Sequence, residues 1–136
     1  MSPAGGGAVV VLDTSVVIAF REPADAHHAA AVAAFGRHQA DELVLPASAY
    51  AEALVGPCRR GPAAVTSFDR FVADLALRLE PLTPEIARRA AHLRGRSAAL
   101  RLPDALILAT GDVLDAGVVL TADAAWAKLS RRVRVL

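Results

Sequence analysis

The chain has 136 residues, 54% of them hydrophobic and 21% charged, which predicts a single domain that buries roughly two-thirds of its unfolded surface. Fifteen basic and fourteen acidic side chains leave a formal charge of +1; there is no polybasic excess, so any nucleic-acid contact must rest on local patches. A single cysteine, Cys58, excludes an internal disulfide and a thiolate metal cage and agrees with a reducing compartment.

Residues 1–7 are small and Gly-rich without a basic leader, and read as a flexible lead-in to a single domain over 8–136. No apolar run reaches the ~18 residues of a membrane span, because Asp13, Arg21 and later charges interrupt each one. A cytoplasmic protein is expected. Val9-Val10-Val11-Leu12 has the β-branched continuity of a strand buried on both faces. Thr14–Phe20 predicts a short helix, and Asp25 to about His38 an alanine-rich one. Leu43–Leu45 predicts a second strand, and Pro46–Val55 a helix that Gly56-Pro57 stops. Phe68, Phe71, Val72, Leu75 and Leu79 share one face of a helix starting near Thr66, with Asp74 and Arg78 paired at i,i+4 on its wet side. Leu79–Leu82 suits a short edge strand. Thr83-Pro84 caps a helix running to about Arg94, and Pro103 opens another that extends to Asp115. Val118–Thr121, a short helix over Asp123–Leu129 and a terminal strand around Val133 and Val135 complete the pattern. Strands alternating with helices predict an α/β fold of three layers, a central parallel sheet of about four to five strands flanked by helices.

Ligands of such sheets bind beyond the carboxyl ends of the strands. Asp13 directly follows the first strand, and Asp123 lies two residues beyond Thr121. Glu52 sits in the helix after the second strand, and Asp104 in the first turn of a helix too apolar for the surface. Each acid has a plain alternative, as a helix cap or as a partner of the helix dipole, with effects of ~1 kcal/mol or less. Glu52 resists that account, since it stands among alanines with no cation at i±3 or i±4 and so needs a partner, a proton or a metal. Four converging carboxylates would raise one another's pKa unless a cation neutralised them. Mg²⁺, or Mn²⁺, takes such oxygen ligands, turns water into a nucleophile near neutral pH and stabilises charge on phosphodiester oxygens.

The segments Val11-Leu12-Asp13-Thr14-Ser15, Ala51-Glu52, Leu102-Pro103-Asp104-Ala105 through Ala109-Thr110, and Leu120-Thr121-Ala122-Asp123 followed by Trp126 resemble, in order and spacing, the acidic motifs of PIN-domain nucleases. They are most similar to VapC-type toxins of bacterial toxin–antitoxin pairs, and the resemblance covers essentially the whole chain after Gly7. It implies an endoribonuclease dependent on Mg²⁺ or Mn²⁺, with the ion held by Asp13, Glu52, Asp104 and Asp123 and with products carrying 5′-phosphate and 3′-hydroxyl ends. It also implies a cognate VapB-type antitoxin and a homodimer. Thr14 or Ser15, and Thr121, match small hydroxyl positions that orient the acids. The position two after Asp123, acidic in some relatives, is Ala125.

Arg59, Arg60, Arg96 and Arg101 are candidates for contacts with RNA phosphates or with the antitoxin; solvated helix faces are the alternative. His27, His28, His38 and His92 read as structural or surface residues, because adjacent His27 and His28 point about 100° apart on a helix and cannot share a phosphate. Asp112 and Asp115 read as solvent-exposed, and Trp126 and Tyr50 as core or interface anchors. The helices bearing Val32 and Phe35, and Phe68 and Phe71, either pack on the core or leave an apolar groove for an antitoxin helix.

Two other functions fit the outline. A receiver-type signalling module needs paired acids at the first strand and a strand-end lysine, whereas Lys128 falls inside a late helix; a dehalogenase-like phosphatase needs a second Asp where Ser15 stands. A PIN-like domain that binds a partner without catalysis is the remaining alternative.

Overall fold

In the computed structural model, which describes residues 7–136, a five-stranded sheet forms from β1 (Val9–Leu12), β2 (Glu42–Pro46), β3 (Arg78–Glu80), β4 (Val118–Thr121) and β5 (Val133–Val135). The strand order is β3-β2-β1-β4-β5, and every neighbouring pair is parallel. Six helices flank the sheet: α1 (Thr14–Arg21), α2 (His28–Arg37), α3 (Ala47–Arg60), α4 (Pro62–Asp74), α5 (Pro84–Arg96) and α6 (Leu102–Val113). A 3-10 turn, Ala124–Lys128, joins β4 to the segment before β5. The expected lead-in falls outside the described residues except for Gly7, whose N–H donates to Ala40 O at 3.1 Å.

The central position of β1 follows from its composition. Val10, Val11 and Leu12 are fully buried, as are Val44, Leu45 and Val119 on the adjoining strands, so helices must cover both faces. The chain leaves β1 towards β2 on one side and returns to β4 on the other, which opens a crevice at the carboxyl ends of β1 and β4.

Several boundaries differ from expectation. α2 begins at His28 because Asp25 Oδ1 instead accepts the His27 N–H at 2.8 Å, closing a turn. Gly56-Pro57 does not stop α3; Pro57 only forgoes one bond to the preceding turn, and the helix ends at Gly61, whose φ of 120° suits glycine. α4 ends at Asp74, where Ala76 adopts a φ of 52° and the Leu77 N–H returns to Val72 O at 3.0 Å. Arg78 therefore lies in β3, paired with Glu80 at 2.7 Å and Glu42 at 2.9 Å rather than with Asp74, and Leu79 belongs to that strand. α6 stops at Val113, beyond which Asp115 takes a φ of 50° and the Ala116 N–H bonds Gly111 O at 2.9 Å.

Asp112 is another departure. It is half-buried and bridges Arg89 at 2.8 Å and Arg132 at 3.3 Å, tying α5 and the entry to β5 onto α6. Asp115 is exposed as expected and bonds Arg132 at 3.1 Å. Trp126 is a core residue, 3% exposed. The expected aromatic helices meet through a chain of rings: Phe20 stacks on Phe35 with centroids 4.1 Å apart and lies 6.0 Å from Phe71.

Candidate active site

The site grows from the end of β1. The Asp13 N–H donates to Leu120 O at 2.9 Å, continuing the β1–β4 ladder one residue past the strand. Asp13 occupies the cap position of α1, yet its side chain makes no capping bond. Its Oδ2 instead accepts two hydroxyls, Ser15 Oγ at 2.7 Å and Thr121 Oγ1 at 2.9 Å.

Those hydroxyls are themselves oriented. Ser15 Oγ accepts the Ala122 N–H at 3.0 Å, and Thr121 Oγ1 accepts the Asp123 N–H at 3.0 Å. An oxygen facing a backbone donor must turn its own hydrogen elsewhere, here towards the carboxylate. Oδ2 is thus engaged twice, and among the described residues Oδ1 accepts no hydrogen bond. The expectation for Thr14 is corrected: its buried hydroxyl donates to Ala49 O at 3.3 Å, joining α1 to α3, and does not touch an acid.

The other carboxylates arrive from three elements. Asp104 lies in the first turn of α6, half-buried, as the near-complete burial of Ala105, Ile107 and Leu108 requires. Asp123 is exposed after β4, and its Oδ1 caps the 3-10 turn by accepting the Ala125 N–H at 2.9 Å. Glu52 is carried by α3. Its alanine neighbours do not by themselves demand a partner for it, because only Ala49 and Ala53 face the core while Ala51 and Glu52 face outward.

The four acids nonetheless share one electrostatic field. Partial removal from water, and then the charges of Asp13 and Asp104, push the Glu52 carboxyl above its ordinary value of 4.5, with Arg101 opposing. Asp104 is likewise raised above 3.8, first by desolvation and then by Asp13; Arg101 again opposes, and Asp123 adds to the rise. Arg101, exposed and one residue before α6, is thereby placed beside the acids. Arg96 is exposed at the end of α5, and Arg59 and Arg60 are exposed at the end of α3.

Among the described residues, no three acids or histidines stand close enough to enclose one ion between them. The donor set is nevertheless all hard oxygen, with the Asp13 carboxylate pre-oriented and two neighbours raised first by desolvation and then by nearby negative charge that Arg101 only partly offsets. That combination fits a hydrated Mg²⁺ or Mn²⁺, which keeps several waters and needs one or two carboxylates. It does not fit a closed cage made only of protein ligands.

A groove of about 620 Å³ adjoins the acids, lined by Ile18, Arg21, Glu52, Gly56, Arg60 and Phe68 among others. Ile18 is 44% exposed on its wall. Arg21 is not among the expected site residues; its guanidinium lies 5.4 Å from the Phe68 ring and 5.0 Å from that of Phe71 and donates to Ser67 Oγ at 3.1 Å. The i,i+3 spacing of Phe68 and Phe71 was the available signal for a cation at that face.

A PIN domain profile matches residues 10–132. Among solved structures, a toxin–antitoxin complex from Klebsiella pneumoniae is 21% identical, with a TM-score of 0.71 over 93% of this chain and 96% of that one. VapC20 of Mycobacterium tuberculosis, a toxin that cleaves the sarcin–ricin loop, is 18% identical with a TM-score of 0.71, covering 87% and 92% of the two chains. VapBC2 of Rickettsia felis, bound to a DNA fragment from its promoter, is 12% identical with a TM-score of 0.72, covering 94% and 97%. No curated protein sequence matches the chain significantly.

Proposed function

As the chain belongs to the PIN-domain family, we propose that it is an endoribonuclease toxin dependent on Mg²⁺ or Mn²⁺ and neutralised by a cognate antitoxin. The observation that carries this reading is the arrival of Asp13, Glu52, Asp104 and Asp123 from four separate elements in one field at the β1–β4 crevice. The resemblance of the four motifs to VapC-type toxins and the likeness in fold to toxin–antitoxin proteins support it.

Asp13 and Asp104 would hold the ion, with Glu52 and Asp123 acting directly or through water. When bound, the ion supplies Lewis-acid stabilisation of the phosphodiester and lowers the pKa of water. Ser15 and Thr121 fix the Asp13 carboxylate through Oδ2, so that Oδ1 is presented in one orientation. Glu52 and Asp104 hold protons more readily than ordinary carboxylates while the crevice lacks a cation. Arg101 limits their repulsion and offers a fork to a substrate phosphate. Water attack with release of the 3′-oxygen leaves 5′-phosphate and 3′-hydroxyl ends.

The groove between α1, α3 and α4 is the place for the antitoxin. Ile18 and Phe68 offer apolar contact, and the groove runs to Glu52, so that an occupant reaches the acids. We further propose that the toxin associates as a homodimer in the cytoplasm; no described helix is long and apolar enough to cross a membrane.

The test is cleavage of labelled total RNA by the antitoxin-free chain in Mg²⁺, Mn²⁺ or EDTA, beside Asp104→Asn. Cutting that needs metal and disappears in the variant supports the nuclease. Folded protein inert on total RNA with either metal would favour a PIN-like binding module.

A further inference from the structure

A second pocket, of about 270 Å³, lies between α5, α6 and the 3-10 turn. Its floor is apolar: Leu100 and Leu108 are buried there, and Leu129 is left 41% exposed. Its rim carries the basic side chains of Arg89, His92 and Arg96. The pocket's one carboxylate, Asp112, has both oxygens engaged, Oδ2 by Arg89 at 2.8 Å and Oδ1 by Arg132 at 3.3 Å. His92 and Arg96 are exposed, and among the described residues their side chains enter no hydrogen bond or ion pair. The pocket therefore offers positive charge above an apolar surface.

Its place relative to the acids is set by helix geometry. Asp104, Leu108 and Asp112 recur at i, i+4 and i+8 and share one face of α6. On α6 the lining thus begins at Leu108, one turn or about 6 Å of helical rise from Asp104, and continues to Asp112. A flat apolar body carrying an anion, set beside the acids, is what a neighbouring nucleotide of a bound strand presents.

We propose that this pocket holds an RNA nucleotide adjoining the cleaved bond, its base on Leu108 and Leu129 and its phosphate on Arg96 and His92. The inference rests on the nuclease reading and deepens it, since it names where the strand is gripped beside the acids. Arginine suits the task because its guanidinium forks onto phosphate and stacks on a base face.

The test uses isotope-labelled full-length Asp13→Asn in EDTA, titrated by NMR with adenosine or uridine 5′-monophosphate and, separately, with inorganic phosphate. The expected result is that backbone signals of Leu93, Arg96, Leu108 and Leu129 move with the mononucleotides and much less with phosphate. Arg96→Ala, and independently His92→Ala, should each weaken nucleotide binding roughly tenfold, whereas Arg134→Ala on the edge strand should not. Shifts confined to the acids, equal responses to nucleotide and phosphate, or Leu129 signals that move only with protein concentration, as when a second copy covers the pocket, would each overturn it. The two readings separate cleanly: nucleotide binding without RNA cleavage keeps the pocket and sinks the nuclease, and cleavage without pocket shifts does the reverse.

Discussion

Thr121 Oγ1 lies 2.9 Å from Asp13 Oδ2, a hydrogen bond between residues 108 positions apart in the chain. Thr121 is fully buried, and its oxygen also accepts the Asp123 N–H at 3.0 Å. Thr121→Val keeps the shape but leaves that donor and one site of the carboxylate unmatched, so a loss of about 1–3 kcal/mol is expected in urea unfolding. Cleavage should fall in parallel because Asp13 is freer to turn, and Thr121→Ser should restore most of both. Equal stability of the valine variant would show that the bond contributes nothing.

Glu52 and Asp104 are carboxylates raised first by desolvation and then by the charge of Asp13, both of which disfavour their ionised forms. Without divalent ions, Glu52→Gln and Asp104→Asn should each melt higher than the wild type, by on the order of 2 °C. Mg²⁺ should raise the Tm of the wild type by mass action and raise that of the variants less. Calorimetry in EDTA and in Mg²⁺ measures both effects; variants that melt lower in EDTA would contradict the repulsion.

The same shifts fix a pH dependence. A carboxyl whose folded pKa exceeds its unfolded value binds more protons in the native state, so stability falls as pH rises through the interval above about 4.5 for Glu52 and 3.8 for Asp104. Acidifying the metal-free protein from neutrality into that interval should therefore recover stability relative to the Glu52→Gln, Asp104→Asn double variant. The difference between the two unfolding curves isolates these groups from the histidines. A difference that grows on acidification would reverse the sign and refute the assignment.

Gly111 of α6 packs against β4, and a Cβ there would stand 2.6 Å from Val119 Cγ2. Gly111→Ala gains about 1 kcal/mol in helix propensity but forces α6 off the sheet, at a cost of about 1–3 kcal/mol. A net loss of stability is expected, and because α6 carries Asp104, weaker metal binding should accompany it. Gly95→Ala, whose Cβ would meet nothing, should gain stability instead, and the two variants can be compared by denaturant titration.

The strands and the acids were legible because each rests on local chemistry. A short β-branched run such as Val9–Leu12 reads as a buried parallel strand, and Asp13 follows from where it ends. Helix ends were less legible where distant contacts decide them. Gly56-Pro57 carries a strong local stop signal, yet Pro57 is buried and α3 continues to Arg60. Arg78 could be assigned to a helix by its spacing from Asp74, because its actual partner Glu42 sits 36 residues away. Likewise, nothing local distinguishes Thr14 from Ser15; only the approach of β4 selects Ser15 for Asp13 and leaves Thr14 to Ala49.

The acids stand at positions 13, 52, 104 and 123, so the first is made long before its partners. At the usual pace of synthesis, the 108 residues added after Asp13, up to Thr121, take roughly 5–20 s to appear, and β4 must then clear the ribosome before it can dock beside β1. A nascent chain, or one truncated before residue 118, lacks both the strand that orients Asp13 and the fourth carboxylate. Whatever chemistry the crevice performs is thereby withheld until residues 118–123 have been made and have docked beside β1, without any inhibitor being needed in that interval.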